Sequence, residues 1–166
     1  MNEQELTRLL AEYGGAVRTV CRGILPGRTQ DAEEAEADTF FRIWRSRGLP
    51  EDEHHLRNYI IRTARSCAID KYRSLSRNGI TLPLDEREDA AFAVELESFL
   101  ESRELIDLIR TLPPPDGDLF LRRYLYCEPC ALLAERYHMP ENTIRTRIHR
   151  AKGKLQKLLR KENFYD

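Results

Sequence analysis

A run of cations and short hydrogen-bonding side chains lies between residues 139 and 161, MPENTIRTRIHRAKGKLQKLLRK. From residue 141 onward it holds eight Lys or Arg side chains and one acid, Glu141. Cations bind phosphate groups, whereas Asn, Thr and Arg near a helix N-terminus suit the base edges of a DNA major groove. The chemistry indicated is binding of DNA, with an ordinary solvated basic face as the alternative.

Helical periodicity gives this stretch two faces. On a 3.6-residue period the apolar residues form one stripe suited to burial against other helices, and that stripe comprises Ile144, Ile148, Ala151, Leu155, Leu158 and Leu159. The other side presents Asn142, Thr146, His149, Arg150, Gly153 and Lys157. We therefore predict an amphipathic helix with a polar side turned outward.

A shorter amphipathic run precedes the basic helix. Residues 128–137 place Leu132, Leu133 and Tyr137 on one side, and His138, Met139 and Pro140 separate the two runs. Two helices joined by about three residues match a helix-turn-helix. A further helix at 116–126, with Leu119, Phe120 and Tyr124, would complete a small core.

Composition limits the function classes. The 166 residues carry a net charge of −1, so the chain as a whole is not a basic nucleic-acid coat. No secretory signal or membrane span is visible, which predicts a cytoplasmic protein. The four cysteines, Cys21, Cys67, Cys127 and Cys130, are too few and scattered for a disulfide framework. Cys127 and Cys130 form a CxxC that we assign to ordinary packing, with metal or redox use as the alternative, and no cofactor is expected.

The rest of the chain is also helical in pattern. Helices are predicted at 3–23, 31–45, 56–75 and 93–112, with a loop at 46–55 and a boundary segment without sustained periodicity at 77–92. No segment alternates as a strand would. The prediction is an all-α protein of two small helical domains joined by a flexible linker, the second domain being a helix-turn-helix.

Two of these helices carry contrasting charge. The helix at 31–45 begins with acids, which interact favourably with the positive N-terminal end of a helix dipole. Its buried side would hold Ala32, Ala35, Phe40, Ile43 and Trp44. The helix at 56–75 has a basic side, which implies a second phosphate-binding surface.

The acidic and histidine residues at 51–55 are neighbours in sequence, and such neighbours rarely converge on one metal ion, so no metal site is expected.

The order and spacing of these segments resemble the extracytoplasmic-function sigma factors, the minimal two-domain initiation subunits of bacterial RNA polymerase. DAEEAEADTFFRIWR (31–45) is similar to the polymerase-binding helix of that family, and LRNYIIRTARSCAIDKYR (56–73) to its −10 helix. IRTLPPP, LRRYLY and LLAERYHMPENTIRTRIHRAKGKL are similar to its −35-binding domain. The resemblance covers nearly the whole chain.

The resemblance implies a residue assignment for each surface. Binding of the β′ clamp helices of polymerase would use Asp31, Glu34, Asp38, Phe41 and Arg42, and the β flap would be a further polymerase contact. The −10 element would be bound by Arg57, Asn58, Arg62, Arg65, Ser66, Lys71 and Arg73. The −35 element would be bound by Glu141, Asn142, Arg145, Thr146, His149, Arg150, Lys152, Lys154 and Lys157.

The implied domains are region 2 at 1–76, a linker at 77–92 and region 4 at 93–166. The implied function is promoter-specific transcription initiation without catalysis by the chain itself. Promoter DNA and core polymerase would be its partners, and an anti-sigma factor is a further partner that the resemblance allows. The sequence departs from the family at His138, which occupies the usual turn glycine, so a reshaped turn is expected.

Two other function classes remain as alternatives. A sigma-like mimic or a stand-alone helix-turn-helix regulator would act without polymerase, but a mimic would not need two basic helices. A DNA-processing enzyme would need catalytic residues, and the sequence contains no P-loop and no deaminase motif.

Overall fold

The computed structural model describes residues 1–82 and 84–165, except for the side chains of residues 84–86, 159 and 161–165. Leu159 of the predicted apolar stripe thus lies outside the described side chains. The described chain forms helices and turns without a strand, which confirms the all-α prediction. It divides into two compact units, Met1–Ala91 and Phe92–Asp166.

Three helices that pack on one another build the first unit: α1 (Glu3–Ile24), α2 (Thr29–Arg45) and α3 (Glu53–Arg77). A capping box starts α1, because the Glu5 N–H donates to Oδ1 of Asn2 (2.8 Å) and the Asn2 N–H donates to Oε2 of Glu5 (3.2 Å). Residues spaced at helical intervals fill the interior, and they include Val17, Val20, Ala35, Ile43, Ile60, Ala64 and Ala68.

Two predictions for this unit are wrong in detail. The loop predicted at 46–55 ends earlier, because the Asp52 side chain accepts the backbone N–H of His55 (3.0 Å) and starts α3 at Glu53. Trp44 was predicted to be buried but is 41% exposed. Thr39 is buried instead, and its hydroxyl donates to the carbonyl of Ala35 (2.7 Å).

The segment 77–92, predicted to be a flexible linker because it has no sustained periodicity, is helical at residues 84–92. Helix α4 spans Leu84–Leu96, and a short 3-10 helix, Glu97–Phe99, follows it. The sequence LDEREDAAFAVEL consists largely of good helix formers, so its local propensity favours a helix although its apolar residues do not repeat on one face. Periodicity alone therefore missed it.

The second unit contains α5 (Arg103–Thr111), α6 (Asp116–Tyr124), α7 (Cys130–Tyr137) and α8 (Glu141–Tyr165). Phe92 and Leu96, from the end of α4, join its core. The rings of Phe92 and Tyr124 meet nearly edge to face, with centroids 4.6 Å apart. The apolar stripe of α8 is buried there through Ile144, Ile148, Ala151 and Leu155, whereas Leu158 is exposed. Leu132 of α7, also predicted to be apolar core, is exposed.

Candidate nucleic-acid and polymerase interfaces

The turn between α7 and α8 sets the start of the basic helix. His138 ends α7 in the left-handed conformation (φ 54°, ψ 44°), and the Met139 N–H donates back to the carbonyl of Ala134 (3.1 Å). Most non-glycine residues avoid this conformation, although histidine is among those that enter it more often. The expectation of a reshaped turn is therefore wrong: His138 adopts the geometry that a glycine would supply, at the steric cost of a Cβ in the left-handed region.

The first three turns of α8 present a continuous polar face. The exposed residues of this recognition face are Glu141, Asn142, Arg145, Thr146, His149 and Arg150. All six were predicted to bind the −35 element, and the structure brings them together because Ile144 and Ile148 turn the opposite side into the core. Lys154 and Lys157 are also exposed further along the helix.

Internal hydrogen bonds order part of this face. Nη2 of Arg145 donates to Oε1 of Glu141, one turn earlier, at 2.6 Å. This hydrogen bond is the largest of the effects that raise the pKa of Arg145 above its ordinary value. The hydroxyl of Thr146 donates to the carbonyl of Asn142 (2.9 Å), which leaves its lone pairs available as acceptors.

Lys152 does not fit its predicted role as a phosphate contact. Its side chain is buried, with 5% of the residue exposed, and Nζ lies 4.8 Å from the centroid of the Phe92 ring. A cation over an aromatic face is held by electrostatic attraction to the ring. The prediction was wrong for Lys152 because the sequence does not show that Phe92 packs against α8. Phe92 lies one turn before the end of α4.

The basic side of α3 retains most of the residues predicted to bind the −10 element. Arg57, Arg62 and Arg73 are exposed, and Asn58, Ser66 and Lys71 are partly exposed. Arg65 is fully buried, so its assignment to the DNA surface is wrong in this conformation. It lies one turn from Ile61 and from Ile69, both buried, because α3 packs against α1 and α2 at once and therefore buries a wide arc.

The predicted polymerase-binding residues share one side of α2. Asp31, Glu34, Asp38, Phe41 and Arg42 fall within an arc of about 100° on an ideal helix. Phe41 is 58% exposed, which is unusual for a phenylalanine, and Cζ of Arg45 lies 5.5 Å from the centroid of its ring. Sequence reasoning missed the exposure of Trp44 beside it, since an aromatic residue near a buried stripe is normally assigned to the core.

Ion pairs connect this side of α2 to α3. Oε2 of Glu34 accepts a hydrogen bond from Nζ of Lys71, which raises the pKa of Lys71. Nη2 of Arg42 donates to Oδ2 of Asp70 (3.0 Å), and its Nη1 donates to Oγ of Ser66 (3.3 Å). Residues assigned to polymerase thus contact residues assigned to DNA.

The clusters considered for metal binding have local partners. Nδ1 of His55 lies 2.8 Å from Oδ2 of Asp52, and the backbone N–H of His55 is the main cause of the lowered pKa of Asp52. Cys127 and Cys130 are buried and form no disulfide, and Sγ of Cys127 lies 3.9 Å from the carbonyl oxygen of Tyr124. In the described part of the chain, no three His, Cys, Asp or Glu side chains are arranged to hold a metal ion. No helix within the described ranges is long and apolar enough to cross a bilayer.

Each of the two units matches a known protein family. Residues 9–78 match the family described as sigma-70 region 2, and residues 102–155 match the family described as sigma-70, region 4. No curated protein matches the chain, and no solved structure matches it. The region 2 match contains the whole of α2 and α3, and the region 4 match contains α7 and the part of α8 up to residue 155. Because the two matches cover most of the chain in the order that the resemblance implied, this protein belongs to the sigma-70 family of transcription initiation factors.

Proposed function

We propose that this chain is an extracytoplasmic-function sigma factor, which binds core RNA polymerase and directs promoter-specific initiation through −10 and −35 contacts. The spacing of the two family matches supports this subtype. Only residues 79–101 lie between them, too few for a further independently folded domain. We propose region 2 at 1–76, a linker at 77–92 and region 4 at 93–166, with Phe92 adding to the core of the second.

The observation that carries the proposal is the recognition face of α8. Six polar residues are exposed over its first three turns, directly after a helix-turn-helix turn. A B-DNA major groove about 12 Å wide admits a helix of about 10–12 Å diameter. In this proposal Asn142, Arg145 and Thr146 reach base edges, and Lys154 and Lys157 hold phosphates.

The basic side of α3 would bind the −10 element. Arg57, Arg62 and Arg73 are exposed cations that suit the phosphates of a displaced single strand. Asn58 and Ser66 supply hydrogen-bonding groups for an unstacked base. Unstacking a base costs a few kcal/mol, and contacts of this kind have to offset that cost.

The acidic side of α2 would contact the β′ clamp helices of polymerase, and the second unit would contact the β flap. Phe41 offers exposed apolar area, and Asp38 offers an exposed carboxylate beside it. Catalysis in this proposal belongs to polymerase alone, and the chain acts in the cytoplasm, where polymerase and promoters lie. An anti-sigma factor that covers these surfaces is a further proposed partner.

Charge reversal on α2 tests whether α2 binds polymerase while α8 binds the −35 element. We expect Asp38→Arg to weaken binding of the full chain to core polymerase about tenfold or more, since like charges would meet at the interface. Its affinity for a −35 duplex should not change. Glu33→Arg is the matched control, because Glu33 is an exposed acid on another side of α2. Equal polymerase affinity for Asp38→Arg and wild type would remove α2 from the interface.

A further inference from the structure

The recognition face contains one acid, and that acid contacts an arginine of the same face. Glu141 is the only acidic residue between 141 and 161. Its Oε1 accepts a hydrogen bond from Nη2 of Arg145 at 2.6 Å. The side chains are 43% and 60% exposed respectively, so both remain accessible to a bound duplex. Glu141 is in the first turn of α8, where the helix dipole favours an acid, but a carboxylate here also repels the phosphates that the face would bind.

The contact fixes a side chain that otherwise has many rotamers. Arg145 and Glu141 are four residues apart, the spacing at which side chains meet on one helix face. A guanidinium has five N–H donors in a rigid fork, so one bond to Glu141 leaves donors for the O6 and N7 acceptors of a guanine. The pair lies in the first two turns of α8, where helices of this class contact base edges.

We propose that Glu141 is a positioning residue that orients Arg145 toward a guanine, so that it determines promoter specificity through Arg145 and makes no base contact of its own. This inference rests on the function proposed above. Two opposite effects follow when the carboxylate is neutralised. Binding to any DNA tightens because a repulsive charge is lost, and discrimination at the base pair read by Arg145 weakens because the arginine is no longer held.

The test compares Glu141→Gln, Arg145→Ala and the double variant in the full chain. The probes are a duplex selected by the wild-type chain from a random library, the same duplex with each base pair replaced in turn, and an unrelated duplex, all at fixed salt. Glu135→Gln is the matched control, because it removes an exposed negative charge from α7 and not from the recognition face.

We expect Glu141→Gln to bind the unrelated duplex about two- to fivefold more tightly. It should lose about tenfold discrimination at the base pair that Arg145→Ala relaxes. In the double variant, Glu141→Gln should cost no further discrimination at that position. Glu135→Gln should keep the wild-type discrimination.

Three outcomes would overturn the inference. Relaxation at two different base pairs, adding independently in the double variant, would give Glu141 a base contact of its own. Unchanged discrimination by Glu141→Gln would reduce the pair to an ordinary surface contact. If the wild-type chain selects no sequence at all, the proposed −35 function fails, and the positioning role fails with it.

Discussion

Nη1 of Arg147, on α8, donates a hydrogen bond to Oδ1 of Asp116, the first residue of α6, at 3.0 Å. Arg147 belongs to the basic run by sequence, yet its side chain turns inward to a carboxylate that is 11% exposed. An acid in the first turn of a helix is also favoured by the helix dipole. The pair fixes α8 on α6, and we expect it to set the orientation of the recognition face.

Asp116→Asn should lower the free energy of unfolding by about 1–2 kcal/mol, because it weakens a largely buried, charge-assisted hydrogen bond. Asp118→Asn is the matched control. Asp118 is 53% exposed and pairs with Arg122 on the same helix (3.2 Å), so its loss should cost only a few tenths of a kcal/mol. Chemical denaturation followed by circular dichroism measures both, and equal costs would show that the Arg147 pair has no special structural role.

Gly117→Ala should destabilise the second unit by about 1–3 kcal/mol. A Cβ at residue 117 would lie 2.8 Å from the backbone oxygen of Ile109, so α5 and α6 would have to separate. Gly153→Ala is the control within α8, where nothing lies within 4 Å of the added Cβ. That variant should gain about 0.5–1 kcal/mol from helix propensity. A neutral Gly117→Ala would contradict the close helix contact.

His138→Gly should stabilise the protein by about 0.5–1 kcal/mol, because glycine enters the left-handed region without steric cost. The side chain of His138 is exposed, so little packing is lost. His138→Ala keeps a Cβ at the same backbone angles and should bring no gain. Thermal unfolding of the wild type and the two variants ranks their stabilities. A glycine variant less stable than the wild type would mean that the imidazole has a structural role.

Glu34→Gln should increase the affinity of the full chain for single-stranded DNA about two- to threefold. The substitution frees Lys71, which is now held by the carboxylate, and exposed pairs of this kind contribute only modestly to stability. Glu33→Gln makes the same charge change on another side of α2. Fluorescence anisotropy at several salt concentrations separates the two variants, and equal gains would show a general charge effect with no release of Lys71.

The recognition face was predictable from sequence because burial of Ile144 and Ile148 determines which residues of α8 face outward. The burial of Arg65 and Lys152 was not predictable from sequence, because a charged residue in a helical pattern is taken to be exposed unless its tertiary neighbours are known. The pairs of α2 with α3 join residues more than 20 positions apart, and no local pattern contains them. Helix α4 was missed because its apolar residues form no single stripe.

Transcription start mapping tests the central claim most directly. Purified full-length protein is added to core polymerase lacking sigma, on fragmented DNA of the source genome, and the 5′ ends of new transcripts are sequenced. The proposed function predicts discrete new starts that share −35 and −10 elements and that Arg145→Ala reduces. Stable binding to core polymerase without any new start, or no binding to core polymerase, would contradict it, and the latter would favour a stand-alone regulator or a sigma-like mimic.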